Sequence, residues 1–199
     1  MRPRHWIAAI AVLAALAAAA ALALGSSGGP RATVAADGSA GLQAGSAPWP
    51  AEQASLGPRL AALGLPAASD SGYHVHLFLA VFAGGRRVPV PAGIGIDPAG
   101  PLVAPVHTHD ATGIVHLESA RAYPFTLAQH FRIWGVRFGD ARLGGYRDRG
   151  ARRLAVYADG AAVPDPVHHL LRAHERIVVG FGVPGSFPHD LPFTFPPGL

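Results

Sequence analysis

Five of the eleven histidines fall within residues 73–118, as His74 and His76, His107 and His109, and the single His116. The first four form two His-x-His pairs. On an extended chain, residues i and i+2 point to the same face, so each pair presents two imidazoles side by side. Imidazole is a ligand for zinc, copper, iron and nickel. The chain has no cysteine, and Met1 is its only methionine. A blue-copper centre, built on a Cys thiolate, is therefore excluded, and a copper(I) carrier built on thioethers is disfavoured. Zinc or copper(II) in a nitrogen-rich site remains. The candidate ligands are His74, His76, His107, His109 and His116. Asp110 and Glu118 are candidates either to complete the set or to accept an imidazole N–H from behind. The competing reading is a pH-sensitive or purely structural cluster of histidines.

These side chains converge only if the elements that carry them do. Residues 73–83 alternate between two faces, with Tyr73, Val75, Leu77, Leu79 and Val81 on one and His74, His76, Phe78 and Ala80 on the other. That pattern predicts a core strand with histidines at one end of its second face. Gly84-Gly85 predicts a tight turn into residues 86–90, and Pro89 and Pro91 confine that second strand to an edge. Residues 106–109 and 113–119 predict another hairpin. If residues 110–113 are its loop, with a positive φ at Gly113, His107 lies opposite His116. Directly opposed residues have Cβ atoms about 4.5–5.5 Å apart, near enough to share an ion. Glu118 then shares the face of His116.

Further along, Leu127, Phe131 and Trp134 recur at helical spacing behind a Thr126 cap and before Gly135. Residues 154–158 and 176–182 predict strands, and the proline-rich tail is expected to lie extended over the surface with its Phe rings in grooves. The order of elements predicts an α+β domain: a small mixed or antiparallel sheet with one main helix, β-grasp-like from Gly113 onward, with a β-sandwich as the alternative. Val75, Leu77, Leu79, Val115, Leu117, Phe131 and Trp134 are the expected core. His130 and the later His168, His169, His174 and His189 are read as lying outside the site, the last four in solvated loops.

The N-terminus supplies an address. Arg2 and Arg4 precede residues 6–24, a run of 19 residues without a charge. A membrane-spanning helix takes roughly 17–25 apolar residues. With the basic flank first, the remainder of the chain is placed outside the cytoplasm. Ala21-Leu22-Ala23 offers a signal-peptidase site, so residues 1–24 are read as a membrane anchor or, alternatively, a cleaved signal peptide followed by secretion. Residues 25–72 are rich in Gly, Ala, Ser and Pro and are read as a flexible linker, with a short amphipathic helix possible over 51–63. Residues 73–199 are then the folded domain. Without cysteine there is neither a lipoprotein anchor nor a disulfide. All 16 basic residues are Arg, and six fall between 137 and 153. They are read as a solvated loop near anionic lipid headgroups. Nucleic acid is not an expected partner, and no protein partner is indicated.

Several local resemblances fail on context. GYHVHLF resembles the copper-ligand strand of copper–zinc superoxide dismutase, but that family's disulfide and ligand order are missing. HTHD resembles part of the metallo-β-lactamase motif without its spacing. His-x-His also opens metal-dependent amidohydrolases, whose barrel needs about 250 residues. A broader resemblance joins YHVHLFLAVFAGGRRVPVPAGIGI, VHTHDATGIVHLES and FTLAQHFRIWGVRF. Together these are similar to an uncharacterised family of bacterial and archaeal proteins with an N-terminal membrane anchor and an extracytoplasmic domain. The resemblance implies the same address and a His-rich site, and it brings no reaction. Three functions follow as expectations: copper or zinc binding by a membrane-anchored domain, a small metal-dependent enzyme outside the cell, or a non-metal interaction module.

Overall fold

The alternating stretch at residues 73–83 becomes the central strand of the molecule. In the computed structural model, which describes residues 39–69, 72–139 and 141–199, the elements in order are α1 Leu56–Leu63, β1 Tyr73–Ala83, β2 Arg86–Val88, β3 Val106–His107, β4 Ile114–Ser119, α2 Leu127–Trp134, β5 Phe138–Gly139, β6 Arg142–Leu143, β7 Tyr146–Arg147, β8 Arg153–Ala158, β9 Ala161–Ala162 and β10 Arg176–Gly182. The main sheet has the order β3-β4-β1-β10-β8-β9, with β2 alongside the end of β1. β1 runs antiparallel to β4 and parallel to β10, and β10 runs antiparallel to β8. A parallel pair needs cover on both faces. The apolar, β-branched run of β10 and the alternating faces of β1 suit that position.

The fold is the expected α+β class. Two strands, a helix and two strands, with the outer members of the series parallel at the centre, form a β-grasp-like arrangement. It takes its first strand from β1, so it occupies the whole main sheet and not only the chain after Gly113. The β-sandwich alternative is not what forms among the described residues: one large sheet is covered on one side by helix and on the other by irregular chain.

On the inner face, Leu77, Leu79 and Val81 of β1 pack with Val115, Leu117, Ile177 and Val179, and with Phe131, Ile133 and Trp134 of α2. Val75, expected in this core, is only partly buried at its margin. α2 forms where its signals stand. The Thr126 side chain accepts from the Gln129 backbone, the Gln129 side-chain oxygen accepts from the Thr126 backbone, and the helix stops at Gly135. On the outer face, Phe78, Ala80, Phe82 and Val178 are covered by Phe187, Phe193 and Phe195 of the proline-rich tail. Phe78 and Phe193 stack with ring centroids 4.1 Å apart. The seat of Phe187 requires Gly180, where an added Cβ would lie 2.2 Å from the Phe187 ring.

The structure departs from the sequence reading before β1. Residues 25–72 were expected to be linker carrying a short amphipathic helix over 51–63; the helix forms as α1, but Trp49, Leu56, Leu60 and Leu65 are buried core residues and not parts of a flexible segment. The segment also closes the C-terminal end of α2. The Gln43 backbone donates to the Gly135 carbonyl at 2.7 Å, and the Glu52 backbone to the Trp134 carbonyl at 3.1 Å. Arg59 is fully buried, pairs with Glu52 and donates to the Ile133 carbonyl at 3.1 Å. Helix-end carbonyls lack partners within the helix, so these donors satisfy groups that would otherwise be stranded in the core. The composition disguised the extent of this packing because four apolar side chains and the pair of buried Arg59 with partly exposed Glu52 do it inside a Gly/Ala/Pro-rich frame.

The arginine cluster also differs from expectation. Arg142 and Arg147 are paired across β6 and β7 in a separate three-stranded sheet, not spread along a loop. The apolar run at residues 6–24 lies outside the described residues. Among those described, no helix is long and apolar enough to cross a membrane.

Candidate metal centre

The inward alternation of apolar residues forces the histidines outward. Leu77 on β1, Val106 on β3, and Val115 and Leu117 on β4 belong to the inner core, and Val75 packs at its margin. Their neighbours His76, His107 and His116 therefore face the other side. β4 lies between β1 and β3, and pairing aligns His76 with His116 and His116 with His107. One row of the ladder is thus His76–His116–His107, and the adjacent row sets His74 opposite Glu118. Strands in a sheet are about 4.7–4.9 Å apart, so imidazoles in one row reach each other directly. Gly113, with φ 94°, closes the β3–β4 hairpin, as its position in the loop predicts.

The side-chain distances follow from that register. His116 Nδ1 is 3.1 Å from His76 Nε2 and 3.3 Å from His74 Nε2. His107 Nε2 is 3.1 Å from His109 Nε2. Glu118 Oε1 lies 2.9 Å from His74 Nε2, 3.7 Å from His107 Nε2 and 3.8 Å from His116 Nδ1. Two groups of donors result, each able to hold a metal ion: His74, His76 and His116, and His107, His109, His116 and Glu118. All five histidines singled out in the sequence, with Glu118, are brought together. Asp110 is not in either group. Its carboxylate accepts from the Thr112 hydroxyl and from the Thr112 backbone, the latter at 2.9 Å, and organises the exposed hairpin loop; these bonds, the hydroxyl first, hold its pKa below the usual carboxylate value.

Burial differs within each pair: His76 and His107 are buried, whereas His74 and His109 are exposed, the His74 side chain at 49% and that of His107 at 1%. Burial pushes the His107 pKa down to about 4, and burial followed by the neighbouring imidazoles pushes His116 down to about 3. His76 is lowered for the same reasons. Around neutral pH these three rings are uncharged and present lone pairs. The Nδ1–H of His107 has the Ala104 carbonyl as its acceptor, 2.9 Å away, so Nε2 is the nitrogen that faces the cluster unprotonated. Behind the site, the His174 backbone donates to the His76 carbonyl at 2.7 Å. Sequence order gave no sign of this brace, because it depends on β10 entering parallel to β1.

Other histidines have separate roles. His168 is exposed and bonded to Asp165, as a solvated loop predicts. His169, expected to be solvated, is instead bonded at 3.0 Å to Glu175, which is 4% exposed. Burial raises the Glu175 pKa. His189 stacks on Tyr157. His130, on α2, is 1% exposed, and neither ring nitrogen has a hydrogen-bond partner among the described residues. Its helical spacing with Leu127 and Trp134 was the available signal for burial. Comparison with protein-family models, curated proteins and solved structures finds no match to this chain.

Proposed function

We propose that this protein is a membrane-anchored domain outside the cytoplasm that binds zinc or copper through the histidine cluster. The observation that carries the reading is the spacing of three ring nitrogens, with His116 Nδ1 at 3.1 and 3.3 Å from the Nε2 atoms of His76 and His74. Metal–nitrogen bonds of 2.0–2.1 Å at tetrahedral angles put ligand nitrogens roughly 3.3–3.4 Å apart. One proton can satisfy only one of the two contacts to Nδ1, whereas one cation satisfies all three lone pairs. The absence of thiol and thioether donors from the cluster favours Zn²⁺ or Cu²⁺ over Cu⁺. The address rests on Arg2, Arg4 and the uncharged run at 6–24. The resemblance to anchored extracytoplasmic proteins agrees with it.

The test is metal analysis of the purified full chain after exposure to zinc or copper and competition with a weak chelator. At least one equivalent per chain is expected, reduced in a His116→Gln variant that retains its circular dichroism spectrum. A chain that retains no metal overturns the binding reading. The address is checked by fusing alkaline phosphatase to the C-terminus: activity is expected outside the cytoplasm, and its absence in a stably expressed fusion removes that part.

A further inference from the structure

The cluster holds more donors than one ion takes. A tetrahedral zinc site uses four ligands. Here five imidazoles and one carboxylate converge, and they divide into two groups with His116 in both. The division follows the sheet. His74 and His76 approach from β1, His107 and His109 from β3 and the hairpin, and β4 between them contributes His116 and Glu118. On the β1 side, His74 and His76 lie 3.3 and 3.1 Å from His116 Nδ1. On the β3 side, His107 and His109 are 3.1 Å apart. Glu118 Oε1 is at the seam, 2.9 Å from His74 Nε2 and 3.7 Å from His107 Nε2, one from each side.

We infer that the site is built for two divalent transition-metal ions. The first is held by His74, His76 and His116. The second is held by His107, His109 and Glu118, with His116 and Glu118 at the boundary. A carboxylate between two donor groups is suited to two cations, because its charge offsets the repulsion that would otherwise keep the second ion out. Three protein donors per ion leave each with room for water or an oxyanion, the arrangement of an open metal site. Each position pairs one buried imidazole with one exposed one, His76 with His74 on the β1 side and His107 with His109 on the β3 side, so each is anchored at the back and open to solvent at the front.

This inference rests on metal binding by the same cluster, and stoichiometry separates the two. The full chain is titrated with Zn²⁺ and with Cu²⁺, bound metal is counted after gel filtration, and the copper form is examined by electron paramagnetic resonance. Two equivalents are expected, with a Cu²⁺ signal weakened or split by coupling between neighbouring ions. His76→Gln and His107→Gln should each leave one equivalent and restore an isolated-ion spectrum. Glu118→Gln should weaken the second equivalent at least tenfold relative to the first. One equivalent in the unaltered chain overturns the two-ion centre and leaves the metal-binding proposal standing. No bound metal overturns both. Two equivalents without coupling, unaffected by the His76 and His107 substitutions, place the second ion elsewhere and also overturn the inference. Folding of each variant is checked by circular dichroism, and the spectrum of the unaltered chain decides the matter if a variant fails to fold.

Discussion

Replacing His130 by Leu should make the protein markedly less sensitive to acid. The ring lies fully enclosed beside Phe131 and Trp134, with both nitrogens unpartnered among the described residues. Burial pushes its pKa down to about 3. In the unfolded chain the pKa is about 6.5. Between these values the unfolded state holds a proton that the folded state does not, so stability is complete above about pH 6.5 and falls as the pH drops toward 3. Each pH unit in that window is worth about 1.4 kcal/mol, which gives a loss of about 3 kcal/mol by pH 4 from this one residue. Domains of this kind have roughly 5–15 kcal/mol in total. Leu has similar bulk and no nitrogens, so at pH 7 the variant should equal or exceed the parent by about 1–3 kcal/mol. Urea unfolding of the metal-free full chain at pH 7, 5.5 and 4, followed by tryptophan fluorescence, measures the difference. The contributions of His76, His107 and His116 are common to both proteins and cancel. The advantage of the Leu variant should widen by about 3 kcal/mol between pH 7 and 4. A gap that stays constant would falsify the argument, because His130 would then take up protons equally in both states.

Thr126→Ala removes the side-chain cap of α2 and should cost about 1 kcal/mol in the same unfolding assay. Gly180→Ala forces its new methyl into the Phe187 ring. The tail should lift, seen as faster proteolysis within residues 184–199 while the circular dichroism of the sheet is retained; an unchanged cleavage rate would show that the ring moves aside instead. A chain beginning at Tyr73 loses Trp49, Leu56, Leu60 and the Arg59 bonds to the end of α2. It should lack a cooperative thermal transition, and a sharp one near that of the full chain would show that this segment is dispensable.

The parts of the fold legible in the sequence are those where one local rule acts without competition. Period-two alternation located β1 and assigned its two faces, and Gly113 set the hairpin register that places His107 against His116. The Thr126 cap and Gly135 bounded α2 with little ambiguity. Local patterns could not reveal which strands meet. That β1 joins β4 on one side and β10 on the other depends on the tertiary balance of both faces. The pairing decides that the two His-x-His pairs flank His116, and that His174 braces His76. The segment at 39–69 was legible only in part: the spacing of Leu56 and Leu60 showed the helix α1, but not that the segment belongs to the core. Its packing elsewhere rests on isolated large residues and on the pair of buried Arg59 with partly exposed Glu52, and charges are rarely buried unless paired. Outside the helix, the sparse apolar pattern therefore resembled a linker.

The parallel pairing of β1 with β10 also orders events in time. Phe78 is aligned with Arg176, which the ribosome adds much later. Every candidate donor, by contrast, belongs to β1, β3, β4 or the hairpin loop, all complete by Ser119. For a chain that crosses the membrane as it is made, at about 5–20 residues per second, roughly 3–13 s separate the last of these strands from the end of β10. Throughout that interval β1 has an unpaired edge, available to any other extended chain. The histidine-bearing strands can thus come together while the apolar core is still open. An ion that reached them then would hold three strands in register ahead of the sheet's closure, and one that arrived afterwards would meet a finished site. Which happens is a competition between the concentration of free metal and the seconds needed to make the rest of the chain.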